Sequence, residues 1–126
     1  MPHVVLEYSA NVLDEPDLPR LLLSIHEALA ATGIFELSDF KGRAVRHDDF
    51  TVADGAGDRA FVALDVQLLE GRDDAAKSLV SGICLELLRE AFPRTAAGRR
   101  LSLSVQVSEM HRPSYRRETS PGTAGT

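Results

Sequence analysis

The stretch AFVALDVQL, residues 60–68, decides the fold. Val62, Leu64, Val66 and Leu68 alternate with other residues, so an extended chain puts all four on one face. Downstream, Asp73 or Asp74 is placed to cap a helix with an apolar stripe of Ala76, Leu79, Val80, Ile83, Leu87 and Leu88. Phe92-Pro93 ends it, because the residue before a proline resists helix. LSLSVQV, residues 101–107, alternates again, with Leu101, Leu103, Val105 and Val107 toward the core. The second half of the chain therefore reads strand, helix, strand.

The first half has the same order. HVVLEY, residues 3–8, is rich in strand formers. Asp17 with Pro19 marks a helix start, Leu18, Leu21, Leu22, Ile25 and Leu29 recur at helical spacing, and Thr32-Gly33 closes the segment. KGRAVRH at 41–47 and FTV at 50–52 are read as strand, and DGAGD at 54–58 as the turn between the halves. No lysine or helix start follows in register, so that turn is not a phosphate cradle. The pattern repeats with an offset of about 58 residues.

A right-handed crossover puts both helices on the same side of the sheet. The expected fold is a two-layer α+β domain: a doubled β-α-β, with a four-stranded sheet under two helices on one face. It spans residues 1–111, with repeats at about 1–53 and 59–111. Residues 112–126 form a C-terminal tail, and the last eight of them, which lack apolar anchors, are expected to be mobile. The other sheet face, carrying Phe61 and Ala63, is uncovered. A partly apolar open face on so small a protein predicts assembly into a closed ring.

Composition removes several classes of function. The chain has 126 residues and one cysteine, Cys84, so it has no intrachain disulfide framework and no cysteine-cluster metal site. A cytoplasmic location follows from that cysteine usage, from the absence of an apolar run near 18 residues, and from an N-terminus unlike a signal peptide. No membrane partner is expected. The net charge of -5 argues against nucleic acid as a partner. Among the 14 basic residues, however, only Lys41 and Lys77 are lysine. Arginine is favoured where a planar fork grips carboxylates, although a GC-rich genome favours it as well.

Most catalytic motifs are absent, and His3, His26, His47 and His111 are scattered. His47-Asp48-Asp49 reads as a solvated turn, so no metal site is assigned. Cys84 lies in the second helix's apolar stripe and reads as a small core residue, whereas His26 reads as a surface residue. Pro2 stands out. Initiator methionine is normally removed before a small residue, which would leave a proline secondary amine at the N-terminus. Burial and nearby arginines both lower the pKa of such an amine toward neutrality, where it can take and return a proton. A proline that merely begins a strand remains the plainer reading of that residue alone.

MPHVVLEYSAN, DLPRLLLSIHEALAATGIF, DFKGRAVRHDDFTVADG and AFVALDVQLLEGRD, in that order from Met1 to about Met110, resemble the 5-carboxymethyl-2-hydroxymuconate Δ-isomerases. These belong to the tautomerase superfamily with an amino-terminal catalytic proline. The resemblance implies the doubled β-α-β fold, a homotrimer, no cofactor, and isomerisation of a small polycarboxylate enol in aromatic-compound degradation. It implies that Pro2 is the catalytic base and then acid, and that Arg72 and Arg43 bind substrate carboxylate. Lys41 stands where the family often has a further arginine, keeping the charge but losing the fork. Two alternatives stay open: a tautomerase of another 2-oxo or 2-hydroxy acid, and a non-catalytic trimeric binding module. The ten arginines other than Arg72 and Arg43 are expected to be ordinary surface.

Overall fold

Two parallel strand pairs meet back to back across an antiparallel seam. In the computed structural model, which describes residues 1–122, β1 (His3–Ser9) pairs in parallel with β2 (Lys41–His47), and β3 (Arg59–Leu69) pairs in parallel with β4 (Arg100–Met110). β1 and β3 run antiparallel at the centre, giving the order β2-β1-β3-β4. Helices α1 (Leu18–Ala30) and α2 (Asp74–Ala91) connect the strands of each parallel pair. The two repeats begin alike. His3 is opposite Lys41 and Arg59 is opposite Arg100; the Lys41 N–H donates to Pro2 O at 3.1 Å, and the Arg100 N–H donates to Asp58 O at 2.9 Å.

The helix starts are set as the sequence predicts. Asp17 accepts from the Arg20 N–H at 3.1 Å, and Asp73 accepts from the Ala76 N–H at 2.9 Å. Val62, Leu64, Val66 and Leu68 are all at most 2 % exposed and pack with Val4 and Leu6 under Leu22, Ile25, Leu29, Val80, Cys84 and Leu88. Each such side chain contributes about 1.5–3 kcal/mol by leaving water. Leu101, Leu103, Val105 and Val107 are half-buried against this core.

Four local expectations change. FTV at 50–52 is not a strand: β1 ends at Ser9 opposite His47, so the chain beyond His47 has no neighbour to pair with and turns at Ala53, φ +52°. Phe50 instead packs edge-on to Phe61, 6.2 Å between ring centres. Leu79 is 48 % exposed, because the buried line of α2 runs through Val80, Cys84 and Leu88, and Leu79 falls on its flank. A short helix, α3 (Pro93–Gly98), follows α2 after Phe92. His26 is not a plain surface residue. Its ring stacks on Phe40 at 4.9 Å, and its Nε2 is buried without a partner. Of the C-terminal tail, residues 123–126 lie outside the described residues.

Candidate active site

Strand pairing pins the start of the chain. Pro2 is buried on the helix side of the sheet, in phase with Val4 and Leu6, and its carbonyl accepts from the Lys41 backbone. The adjoining amino terminus therefore sits at a fixed place at the sheet's end. Three connections converge there. A 3-10 turn at Leu37–Asp39 leads into β2, the Glu70-Gly71-Arg72 turn leads into α2, and the segment after β4 returns across the same end.

These connections bring a set of charges around the amine. Burial holds the amine of Met1 below its ordinary value of 8.0; Asp39 acts in the opposite sense, and Arg117, Arg72 and Lys41 lower it further. The Lys41 ammonium donates to Asp39 O at 3.2 Å. The Arg72 guanidinium lies over the Phe35 ring, 5.1 Å from its centre, which restrains a side chain that is otherwise free to wave in water. Arg117 donates to Asp39 Oδ1 at 3.1 Å and to the Met1 sulfur.

Arg72 and Lys41 thus both act on the charge of the amine beside Pro2. Arg43 is two residues further along the edge strand, opposite Val5, and its guanidinium contacts His3 Nδ1 at 3.1 Å. Burial, then Arg43, Lys41 and the amine, hold the His3 imidazole below its ordinary 6.5. Lys41, Arg43 and His3 belong to the exposed sheet face, the same face that carries Phe61 and Ala63.

Phe35, Asp39 and Arg117 were not among the residues singled out from the sequence. Arg117 departs from the expectation of an ordinary surface arginine, since its side chain is 33 % exposed and paired with Asp39. Its separation of 78 residues from Asp39 leaves no local pattern to find. Arg117 does stand in a basic run, RPSYRR at residues 112–117.

Other candidates resolve differently. His47 bonds Glu7 at 3.0 Å while Asp48 faces Arg46 at 3.2 Å, so the two turn to separate partners. Among the described residues, no group of three His, Cys, Asp or Glu side chains is placed to hold one ion. Burial pushes the Cys84 thiol up to about 12, which keeps it protonated and unreactive. A cleft of about 470 Å³ between α1 and β2 is lined by Leu22, Leu23, His26, Gly42 and Arg43 and not by Pro2.

The chain compares closely with known proteins. A family model described as 5-carboxymethyl-2-hydroxymuconate isomerase matches residues 2–120. The Escherichia coli 5-carboxymethyl-2-hydroxymuconate Delta-isomerase is 34 % identical over 111 residues, covering 88 % of each chain. A crystal structure of a 5-carboxymethyl-2-hydroxymuconate isomerase from Deinococcus radiodurans R1 superposes with a TM-score of 0.85 at 30 % identity, covering 94 % of this chain and 90 % of that one. A fused 4-OT, solved as a symmetric trimer, shares the fold alone: TM-score 0.66 at 13 % identity, over 92 % of this chain and 93 % of that one. An α+β fold of two β-α-β units, a family match over nearly the whole length and a curated isomerase relative together establish that this chain belongs to the 5-carboxymethyl-2-hydroxymuconate isomerase family.

Proposed function

We propose that this protein isomerises 5-carboxymethyl-2-hydroxymuconate, or a closely similar polycarboxylate dienol, with the amine of Pro2 as its base. The observation that carries the reading is the setting of the chain's amine, that of Met1: partly buried, at a fixed sheet end, with Arg117, Arg72 and Lys41 acting on it against Asp39. Once Met1 is removed, the Pro2 nitrogen becomes a secondary amine among the same charges. It takes the proton of the 2-hydroxyl. The C2–O bond becomes a carbonyl, the C2=C3 pair moves to C3=C4, and the C4=C5 pair takes the same proton at carbon 5. The product is the 2-oxo-3-ene isomer.

Arg72 grips a substrate carboxylate with its fork, and Lys41 adds a point charge beside it. Arg43, turned toward His3 in the single chain, is assigned a second carboxylate from the open face. Fixed cations near the 2-oxygen stabilise the negative charge that develops there. The reaction needs no cofactor.

The working unit is a homotrimer in this reading. It is supported by the uncovered sheet face with Val45 at 40 % exposure, and by relatives of the same fold solved as symmetric trimers. No helix among the described residues is long and apolar enough to cross a membrane, and a cytoplasmic location is proposed with the activity.

The test is ultraviolet measurement of ketonisation with 5-carboxymethyl-2-hydroxymuconate, comparing chains shown by mass spectrometry to begin at Pro2 with chains that retain Met1. Activity only in the former is expected; equal activity in both overturns the amine as base. Lys41, which lacks the fork, keeps a second substrate class in view, and a phenylpyruvate-like enol assayed in parallel decides between them.

A further inference from the structure

The segment after β4 crosses the site end of the sheet and is tied down at both ends. At its start, the Arg112 backbone N–H donates to Glu70 Oε1 and the Arg112 guanidinium to Glu70 O, both at 3.0 Å, on the turn that carries Arg72. At its far end, Arg117 reaches Asp39 and the Met1 sulfur. Between them Tyr115 is half-buried and its backbone N–H bonds His111 O at 3.1 Å. This strap thus links the Arg72 turn to Asp39 and Met1.

Asp39 is the anomaly of the site. A carboxylate facing the amine favours the protonated amine, which is useless as a base, and repels an incoming polyanion. Arg72 and Lys41 do not bond this carboxylate: Arg72 is over Phe35, and Lys41 takes the Asp39 backbone carbonyl. Arg117 does, at 3.1 Å, with both side chains about one-third exposed or less. We propose that the C-terminal strap is a working part of the amino-terminal site, in which Arg117 masks Asp39 so that neither the amine nor a polycarboxylate substrate meets an unpaired negative charge.

Arg117 is on this account a positioning residue. Removal of Met1 takes away the sulfur contact and leaves the Asp39 pair. Among the described residues, the other charges that act on the amine are Arg72 and Lys41, and the amine acts in turn on His3, which Arg43 contacts. The inference rests on the amine being the base, but its test does not need turnover.

Chains beginning at Pro2 are prepared as wild type, Arg117→Ala, Arg117→Lys, Asp39→Asn and the double variant Arg117→Ala/Asp39→Asn. The amine is titrated by its rate of acylation with acetic anhydride, a neutral reagent, against the Lys77 peptide as internal reference. Arg117→Ala is expected to raise the amine's pH midpoint by about half to one unit. It is also expected to raise KM for the dienol about tenfold with a smaller change in kcat. Arg117→Lys keeps the midpoint near wild type, and the double variant returns both quantities toward wild type. An unmoved midpoint in a folded Arg117→Ala chain overturns the proposal. So does a double variant no better than Arg117→Ala, and so does a KM effect without a midpoint shift, which would make Arg117 only a substrate contact. A wild type whose amine titrates as expected but does not isomerise defeats the catalytic reading alone.

Discussion

Arg72 stands over the face of Phe35, with 5.1 Å between guanidinium carbon and ring centre. A cation on an aromatic face keeps its edge N–H groups free, so the stack holds Arg72 in place without using up its fork. Arg72→Ala is expected to lower kcat/KM by about a hundredfold or more, as removal of a charge-stabilising donor does. Phe35→Leu, which leaves the charge but removes the face, should cost about three- to tenfold. Steady-state kinetics on the dienol checks both. A Phe35→Leu enzyme with unchanged kcat/KM would show that the stack does not position Arg72.

The pH profile should follow the amine. A base must be unprotonated to act, and burial with the surrounding cations holds the Met1 amine below its ordinary value. The Pro2 amine, bared at the same sheet end, meets the same effects, so activity should rise with pH through a midpoint below that of a free N-terminal proline and fall as acid protonates the amine. A kcat/KM midpoint equal to that of a short proline peptide would contradict this.

Gly42 is where edge strand β2 passes under α1. A Cβ there would meet His26 Nε2 at 2.6 Å, His26 Cε1 at 2.9 Å and Leu22 Cβ at 3.3 Å. The His26 ring cannot swing away cheaply, since it is stacked on Phe40. Gly42→Ala should destabilise by about 1–3 kcal/mol, as overpacking does. Adding His26→Ala should recover part of that loss. Denaturant melts of the three variants test the coupling.

Asp14 holds α3 in place. It accepts from the Arg94 N–H at 3.1 Å, the Thr95 N–H at 2.7 Å and the Thr95 hydroxyl at 2.6 Å, and the Thr95 hydroxyl oxygen in turn accepts from the Leu13 N–H at 2.9 Å. Desolvation pushes the Asp14 carboxyl up, but these bonds from Thr95 and Arg94 outweigh it and leave it below the ordinary 3.8. A depressed carboxyl stabilises the fold above its unfolded value and loses that effect as pH falls through the folded one. Asp14→Ala should cost about 1–2 kcal/mol at neutral pH. The gap from wild type should close as melts are taken below pH 3.8.

β1, β3, β4 and the two long helices were legible because each has one wetter and one drier face, which a period of 2 or 3.6 records; the edge strand β2 has no buried residue and rested on its composition. α3 was not legible. Six residues carry too little periodicity, and its cap comes from Asp14, about 80 residues earlier in the chain. FTV at 50–52 has strand composition, yet composition does not supply a neighbouring strand. At the site, Pro2 and Arg72 could be singled out because family likeness marks single positions. Asp39 and Arg117 come from distant segments that meet only once the sheet has brought the start of β2 and the end of β4 to one side. His26 beside an apolar stripe looked solvent-facing, because its neighbour Phe40 lies on another element.

The two repeats start alike, and the second start shows what continuity of the chain removes. Asp58 holds in the second repeat the place of Pro2, with its carbonyl receiving the Arg100 N–H as Pro2 receives that of Lys41. Its nitrogen, however, lies inside a peptide bond and has no basicity to offer. The residues there have turned to fastening: Arg100 grips both Asp58 oxygens at 2.7 Å, and Arg59 holds Asp54 at 2.8 Å. One polypeptide that carries two β-α-β units thus has an amide at the second start, where two separate units would each have an amine. In the trimer and with the amine base proposed above, the assembly would have six like strand beginnings but only three at which a proton can be moved.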